Sequence, residues 1–171
     1  EDSSVRLQYV DEARFLRAYY YYLLVQHFGG VALNTTMFES AVMNHARESA
    51  ENVYQFVIDE FAYLSSDDSQ LLERSEATGD NFGRANKRAA MHFLAKTYLA
   101  RGYETFADSN DFTNAAQYAE KAINGEKPTI AFSDVFSINN EENDEIFWSV
   151  QYSSATLEDL SKDGNMQQSV F

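Results

Sequence analysis

Two arginines near the start of the sequence form the first pattern that can do chemistry. Arg14 and Arg17 lie three residues apart, which places both guanidinium groups on one face of a helix. Asp11 and Glu12 lie nearby, separated from Arg14 by Ala13. Such a pair can present a fork of donors to a carboxylate or a sugar hydroxyl, but the adjacent acids favour structural ion pairs. Arg84 poses a similar choice, because it can satisfy loop carbonyl groups or contact a ligand.

Aromatic side chains give two further candidates for ligand contact. The four consecutive tyrosines of residues 19–22 offer rings for sugar stacking. Consecutive helical residues point about 100° apart, however, so the run favours packing on several sides of a helix. Trp148 shares one face of a predicted strand with Ile146 and Val150, and we expect it in the core rather than in a site.

Metal and catalytic sites are not predicted. His27, His45 and His92 are far apart, and no histidine pair has the spacing of a helical zinc site. Residues 108–111 supply oxygen atoms but lack the glycine and the distal glutamate of a calcium-binding loop. We therefore interpret Asp111 as the cap of a helix.

Adjacent acids do not make a hydrolase. The pairs at residues 59–60 and 67–68 lack the separation across a cleft that glycoside hydrolysis requires. The sequence also contains no nucleophile elbow, phosphate-binding loop or dinucleotide fingerprint. We predict a protein that is not an enzyme, with no catalytic residue, no metal and no cofactor.

The composition limits the class of protein and its partners. The chain has 171 residues, of which 44% are hydrophobic and 15% aromatic, enough for one domain with a core. Its 13 basic and 27 acidic residues leave a net charge of -14, which argues against nucleic acid and anionic lipid as partners. There is no cysteine and no apolar run of membrane-spanning length. The ends lack capping chemistry, and we expect a piece of a longer protein.

Periodicity predicts the elements that must position these residues. A helix over residues 5–28 ends at Gly29-Gly30, and a second spans 49–65 with Ser49 as its cap. An exposed loop at 65–84 precedes a helix at 86–101 and another at 111–124 that ends at Gly125. We predict that the first helix buries the stripe Tyr9, Ala13, Leu16, Tyr20, Leu23 and His27, and the fourth buries Phe112, Ala115, Ala116, Ala119 and Ile123. The predicted core comprises Leu16, Tyr20, Leu23, Phe93, Leu94 and Tyr98.

The last third changes character. Residues 129–136 are predicted to be extended, 139–144 to form a polar turn, and 145–152 to form a strand or hairpin. The remainder is irregular. The predicted fold is mainly α, with tetratricopeptide-like antiparallel helix pairs, a short strand or hairpin and an irregular C-terminal segment. We divide the single domain 1–171 into a first pair (1–65), a loop (66–85), a second pair (86–125) and an extended or irregular segment (126–171).

Four stretches of the sequence resemble one known family. Residues 12–22 with 28–31, and residues 83–90 with 95–99, are similar to the two signature helices of SusD/RagB-like outer-membrane nutrient-binding lipoproteins. Residues 47–54 resemble that family's next helix start, and residues 145–152 its strand beyond the repeats. The order and spacing of all four agree with the family, so we identify the chain as a piece of such a protein.

The resemblance implies the function. Proteins of this family capture a glycan or oligosaccharide at the bacterial surface without turnover and deliver it to a TonB-dependent, SusC-like transporter. The implied location is the outer membrane of Bacteroidetes-type bacteria, held by an N-terminal lipid that this chain lacks. The alternative is a helical repeat scaffold that binds a peptide or protein. We place ligand contact in residues 153–171, for example at Asn165 and Gln167, because loops on a rigid scaffold commonly bind ligands.

Overall fold

Four long helices carry the fold in the computed structural model, which describes residues 3–37, 39–40, 44–137 and 139–150. The helices of this part of the chain are α1 (Ser3–Phe28), α2 (Ala50–Leu64), α3 (Lys87–Arg101), α4 (Asp111–Ile123) and the short α5 (Phe132–Val135). Two 3-10 turns, Arg74–Glu76 and Gly79–Asn81, lie between α2 and α3. None of these helices combines the length and the apolar character that crossing a membrane requires.

Local chemistry sets the helix boundaries at the predicted places. The Ser49 hydroxyl accepts a hydrogen bond from the Asn52 amide at 3.1 Å and caps α2. Asn86 caps α3 in the same way, accepting from the Ala89 amide at 2.9 Å. Gly29 follows α1 with a φ of +66°, a left-handed conformation that closes a helix. Asn124 takes that role after α4, one residue before the predicted Gly125.

Successive helices run antiparallel, as predicted. The C-terminal end of α1 lies beside the start of α2, where the Glu48 amide donates to the Val31 carbonyl at 2.9 Å. Near the other ends of the pair, Tyr63 donates to Asp11. In the second pair, Arg101 at the end of α3 contacts Asp111 at the start of α4. The two predicted helix pairs are therefore confirmed, and α2 additionally packs on α3 to join them.

The core centres on aromatic rings from three helices. Phe61 of α2 stacks on Phe93 of α3 with ring centroids 5.7 Å apart, and Phe15 of α1 meets both rings edge-on. Leu94 is fully buried beside them, as predicted. Burying this continuous aromatic cluster removes a large apolar area from water and supplies most of the driving force for packing.

The predicted buried stripe of α1 is wrong. Leu16 is 43% exposed and Tyr20 is 60% exposed. The buried residues lie on the opposite face, and they are Asp11, Phe15, Ala18, Tyr21, Tyr22 and Val25. Most of them lie two positions from the predicted ones, a rotation of about 200° around the helix. Because α1 carries large apolar side chains on all sides, periodicity alone did not distinguish the two faces.

The fourth helix is also rotated relative to the prediction. Ala115 is buried as predicted, but Phe112 and Ile123 are each 49% exposed, and Asp111 and Ala122 are buried in their place. Asp111 is the first helical residue and not the cap, a position that Asn110 occupies without a side-chain capping bond. The reason is the ion pair between the fully buried Asp111 and the partly buried Arg101, which turns this side of α4 inward.

The third departure concerns the segments outside the long helices. Residues 145–150 do not form the predicted strand, and the rest of that prediction lies outside the described residues. Residues 132–135 of the predicted extended stretch form α5 instead. The loop at 65–84 is only partly exposed, because Leu71 and Ala77 are buried. The polar turn at 139–144 is confirmed in its described residues.

Candidate functional site

An aromatic groove lies between the outer face of α1 and the segment that leads into α3. It has a volume of about 440 Å³, and Leu16, Tyr19, Tyr20, Phe82 and Trp148 contribute its apolar walls. The exposed face of α1 that the sequence reading placed in the core is therefore one wall of this groove. Apolar concave surfaces with a few fixed polar groups are the usual setting for small-ligand binding.

Ring contacts and a hydrogen bond to the neighbouring backbone hold Trp148 in the groove. Its ring packs edge-on against Phe15 at 5.2 Å and against Tyr19 at 5.3 Å. The preceding carbonyl, that of Phe147, accepts a hydrogen bond from the Asn86 side-chain amide at 2.8 Å. Asn86 is buried, so one side chain both caps α3 and ties the segment carrying Trp148 to that helix. Trp148 packs against the core as expected, but it is only half-buried and also lines the groove, whereas the prediction placed it in the core rather than in a site.

A bidentate ion pair forms the polar edge of the groove. Arg84 donates to both carboxylate oxygens of Glu12, from Nε and Nη2, at 2.9 Å each. The guanidinium also lies over the Tyr9 ring, 5.1 Å from its centroid. The hydrogen bonds to Glu12 raise the pKa of Arg84 above its ordinary value. The predicted contact of Arg84 with loop carbonyls is thus replaced by a carboxylate partner far away in sequence.

Arg14 and Arg17 lie on another side of α1 and form the structural ion pairs that we favoured. Both donate to Glu60 of α2, each with one contact of 2.8 Å, and Arg14 also packs over the Tyr63 ring at 3.9 Å. Burial by itself raises the pKa of Glu60, but the hydrogen bonds and charges of the two arginines outweigh it and lower the pKa. Sequence reasoning missed Glu60 as the partner, because only the tertiary fold brings it to α1.

Asp11 has a different partner set from the one its sequence neighbours indicate. It is 3% exposed and accepts hydrogen bonds from the Ser69 hydroxyl and the Gln70 amide, at 3.2 and 2.7 Å. It lies 4.0 Å from Arg14, at the limit of an ion pair. This carboxylate therefore anchors the loop after α2 to α1.

The other predicted candidates have structural roles or lie elsewhere. Of the four tyrosines, Tyr21 and Tyr22 are buried, Tyr19 is half-buried and only Tyr20 is mainly exposed. In residues 108–111, carboxylate oxygens accept backbone amides of the turn. No three histidines or acids of the described ranges cluster as metal ligands.

The acids of residues 59–60 face different partners, since Asp59 accepts a hydrogen bond from Gln55. The predicted ligand-binding region 153–171, with Asn165 and Gln167, lies outside the residues that the structure describes.

Comparisons with known proteins match the chain to one family. Residues 2–99 match the SusD-like family model described as starch-binding associating with outer membrane. A SusD-like protein of Bacteroides ovatus is 32% identical over 151 residues, which cover 84% of this chain and 26% of the relative. The starch-binding protein SusD of Bacteroides thetaiotaomicron is 27% identical over 134 residues, or 78% of this chain and 22% of that protein.

Solved structures agree with the sequence comparisons. A crystal structure with xylogluco-oligosaccharide has a TM-score of 0.70 and 27% identity to this chain, covering 90% of it and 31% of that chain. The chain spans about a quarter of the length of the curated relatives it matches. The family model covers more than half of the chain, in the region that contains the aromatic groove's α1 wall and Arg84. The chain therefore belongs to the SusD-like family, as its two signature helices predicted.

Proposed function

We propose that this chain is part of a non-catalytic receptor that binds an oligosaccharide at the outer surface of the bacterial outer membrane. The observation that carries the proposal is the family match over residues 2–99, in a family described as starch-binding. The oligosaccharide in the crystal structure of a structural neighbour supports the same ligand class. From there the ligand would pass to a TonB-dependent, SusC-like transporter, and an N-terminal lipid would hold the receptor on the membrane.

The aromatic groove has the chemistry that a neutral sugar requires. The apolar faces of pyranose rings stack on aromatic side chains, and Tyr20 offers an exposed ring while Trp148 offers a fixed one. The Arg84–Glu12 pair supplies donors and acceptors at a fixed position for sugar hydroxyls. Val150 lines the same groove, three residues before the segment 153–171. We propose that this segment, including Asn165 and Gln167, completes the contacts.

Calorimetry with maltoheptaose and a xyloglucan oligosaccharide tests the proposal. We expect Tyr20→Ala to weaken binding about tenfold, since it removes the exposed stacking ring. Tyr103→Ala is the matched control, because Tyr103 is 81% exposed just after α3 and does not line the groove. Equal losses of oligosaccharide affinity in the two variants would contradict a binding site in the groove.

The partners are tested with the full-length protein. We expect it to bind the glycan more tightly than this chain does, and to co-purify from the membrane with a transporter barrel. Antibody labelling of intact cells tests the surface location. Selective binding of peptides in the same calorimetric screen would favour the alternative, a peptide-binding helical repeat scaffold.

A further inference from the structure

A second groove, entirely different in chemistry, lies at the far side of α3. It has a volume of about 930 Å³ and is enclosed by the 3-10 turn at Arg74–Glu76, by α3, by the end of α4 and by the loop that follows α4. Its lining includes four of the 13 basic residues of this acidic chain and four acids: Arg74, Arg88, Lys121 and Lys127, with Glu73, Glu126, Asp144 and Glu145.

The acids of this groove are engaged by the protein's own donors. Glu126 pairs with Arg88 at 2.7 Å, and Glu73 pairs with Lys87 at 2.9 Å. Glu145 accepts the backbone amides of Thr129 and Ile130, at 2.6 and 2.8 Å. Asp144 is exposed at the rim, 4.0 Å from Arg74. Ion pairs therefore balance the charges of Glu73 and Glu126, whereas Glu145 keeps its charge in hydrogen bonds to backbone amides and Asp144 keeps its charge at the exposed rim.

Positive charge remains unpaired in the same place. Within the part of the chain that the structure describes, the exposed Lys121 and Lys127 form no ion pair, and the Lys121 ammonium lies over the Tyr118 ring, 4.7 Å from its centroid. The Nε of Arg74 is buried and has no hydrogen-bond partner among the same residues. Arg88 donates to the carbonyls of Ala122 and Ile123 and so offsets the negative end of α4.

An anion that entered this groove would meet donors without displacing existing pairs. The net charge of -14 repels anions from the rest of the surface, so binding would depend on these local groups. Phe132, the first residue of α5, follows the lining residue Thr129 by three positions, and its ring packs edge-on against that of Phe136 at 5.4 Å; the two side chains are 83% and 75% exposed. These exposed rings, close in sequence to the groove, can pack on the apolar face of a sugar, and the unpaired lysines can bind its charge.

We propose that this groove binds the carboxylate of a uronic-acid residue in an acidic oligosaccharide. Lys121 and Lys127 are the donors for the carboxylate, and the Arg74 side chain lines the same groove. The inference rests on the proposed oligosaccharide binding, but it assigns a separate site and a charged ligand. The aromatic groove on α1 takes no part in it.

Titration of the chain with trigalacturonic acid, followed by calorimetry at low ionic strength, tests the assignment. The fully methyl-esterified trimer keeps the size of the probe and removes its charge. We expect binding of the acid, weaker binding of the ester, and loss of affinity in 0.5 M salt because exposed charges are screened there.

Single lysine variants locate the site. Lys121→Gln and Lys127→Gln should each weaken binding of the acid about three- to tenfold, the effect of removing one charge-assisted contact. Lys96→Gln makes the same change of net charge outside the groove, where Lys96 lies over the rings of Tyr22 and Phe93, and it should leave affinity unchanged. Thermal melts verify that all three variants fold.

The outcomes separate this inference from the proposed function. Equal binding of acid and ester, or equal loss in Lys96→Gln, overturns the charged site. Binding of maltoheptaose without binding of trigalacturonic acid overturns it as well and leaves the proposed function standing. A chain and a full-length protein that bind no saccharide would contradict both.

Discussion

Ion pairs set the rotation of α1 around its axis. Apolar side chains occur on every side of this helix, and both Phe15 and Leu16 would fit a core equally well by type. The charged residues determine which face is buried. Arg14 and Arg17 pair with Glu60 of α2, and Glu12 pairs with Arg84. With these pairs made, Phe15 and Ala18 face α2 and α3, and Leu16 and Tyr20 face the groove.

The first prediction concerns Glu60, which satisfies both arginines. Glu60→Gln should reduce the free energy of unfolding at pH 7 by about 1–3 kcal/mol, a range discounted because the arginine side chains are about one-third exposed. Chemical denaturation measures the change. Glu120→Gln is the control, since this exposed residue of α4 should change the free energy by less than about 0.5 kcal/mol.

The same residue gives a pH dependence with a definite sign. Because the pKa of Glu60 is lowered in the folded state, its contribution is present above the ordinary value of 4.5 and is lost as the pH falls through the lowered pKa. The difference in free energy of unfolding between the original chain and Glu60→Gln should therefore become smaller from pH 7 to pH 3. A difference that stays constant over this range would contradict an ionised Glu60 in the fold.

At the scale of elements, helix existence was predictable and helix rotation was not. Caps such as Ser49, Asn86 and the Gly29-Gly30 pair are local signals, so the ends of α1, α2 and α3 were predicted within two residues. Which face each helix buries depends on residues far away in sequence. The Asp111–Arg101 and Glu12–Arg84 pairs have no local signature beyond their charges.

The segment 145–150 shows a different limit. Its aromatic and β-branched residues favour a strand by propensity, but a strand requires a partner edge. Here Asn86 holds the Phe147 carbonyl, and Trp148 packs among rings of the helices. Tertiary contacts of two residues thus override the local preference. Of the candidate site, Arg84 and Trp148 were singled out from sequence, while Leu16 and Tyr20 were assigned to the core.

A pair of leucines in α3 tests the assigned faces. Leu94 is fully buried and Leu99 is 46% exposed in the same helix. Leu94→Ala should cost about 2–5 kcal/mol, since it leaves a cavity in the core. Leu99→Ala should cost less than about 1 kcal/mol in the same denaturation assay. Equal effects would mean that α3 is rotated from the orientation described.

For the whole molecule, the junction of α1 and α2 depends on one close backbone approach. A Cβ atom on Gly30 would lie 2.1 Å from the Glu48 carbonyl oxygen, and Arg47 fixes this junction by donating to the carbonyls of Phe28 and Gly30. Gly30→Ala should therefore reduce the free energy of unfolding by about 1–3 kcal/mol, since backbone must move. Thermal melting measures it.

Gly102→Ala is the matched control for this clash. A Cβ on Gly102 would also approach another atom closely, at 2.7 Å, but that atom belongs to the ring of Phe112, a half-exposed side chain that can turn away. The backbone of Gly102 has a helical conformation that alanine also adopts, so the melting temperature of Gly102→Ala should change by no more than about 2 °C. A large loss in Gly102→Ala and none in Gly30→Ala would reverse this account of the two positions.

The sequential packing of the helices has a consequence for how the chain reaches this structure. Each long helix packs mainly on the next one, and the α3–α4 interface is the most extensive of these. Only residues 102–110 separate α3 from α4, whereas the other two neighbouring pairs of long helices are separated by residues 29–49 and 65–86. Loop closure costs less entropy for the shorter connection. The hairpin of α3 and α4 should form first during folding, with α2 and then α1 adding to it, and mutations in α1 should accelerate unfolding more than they slow folding.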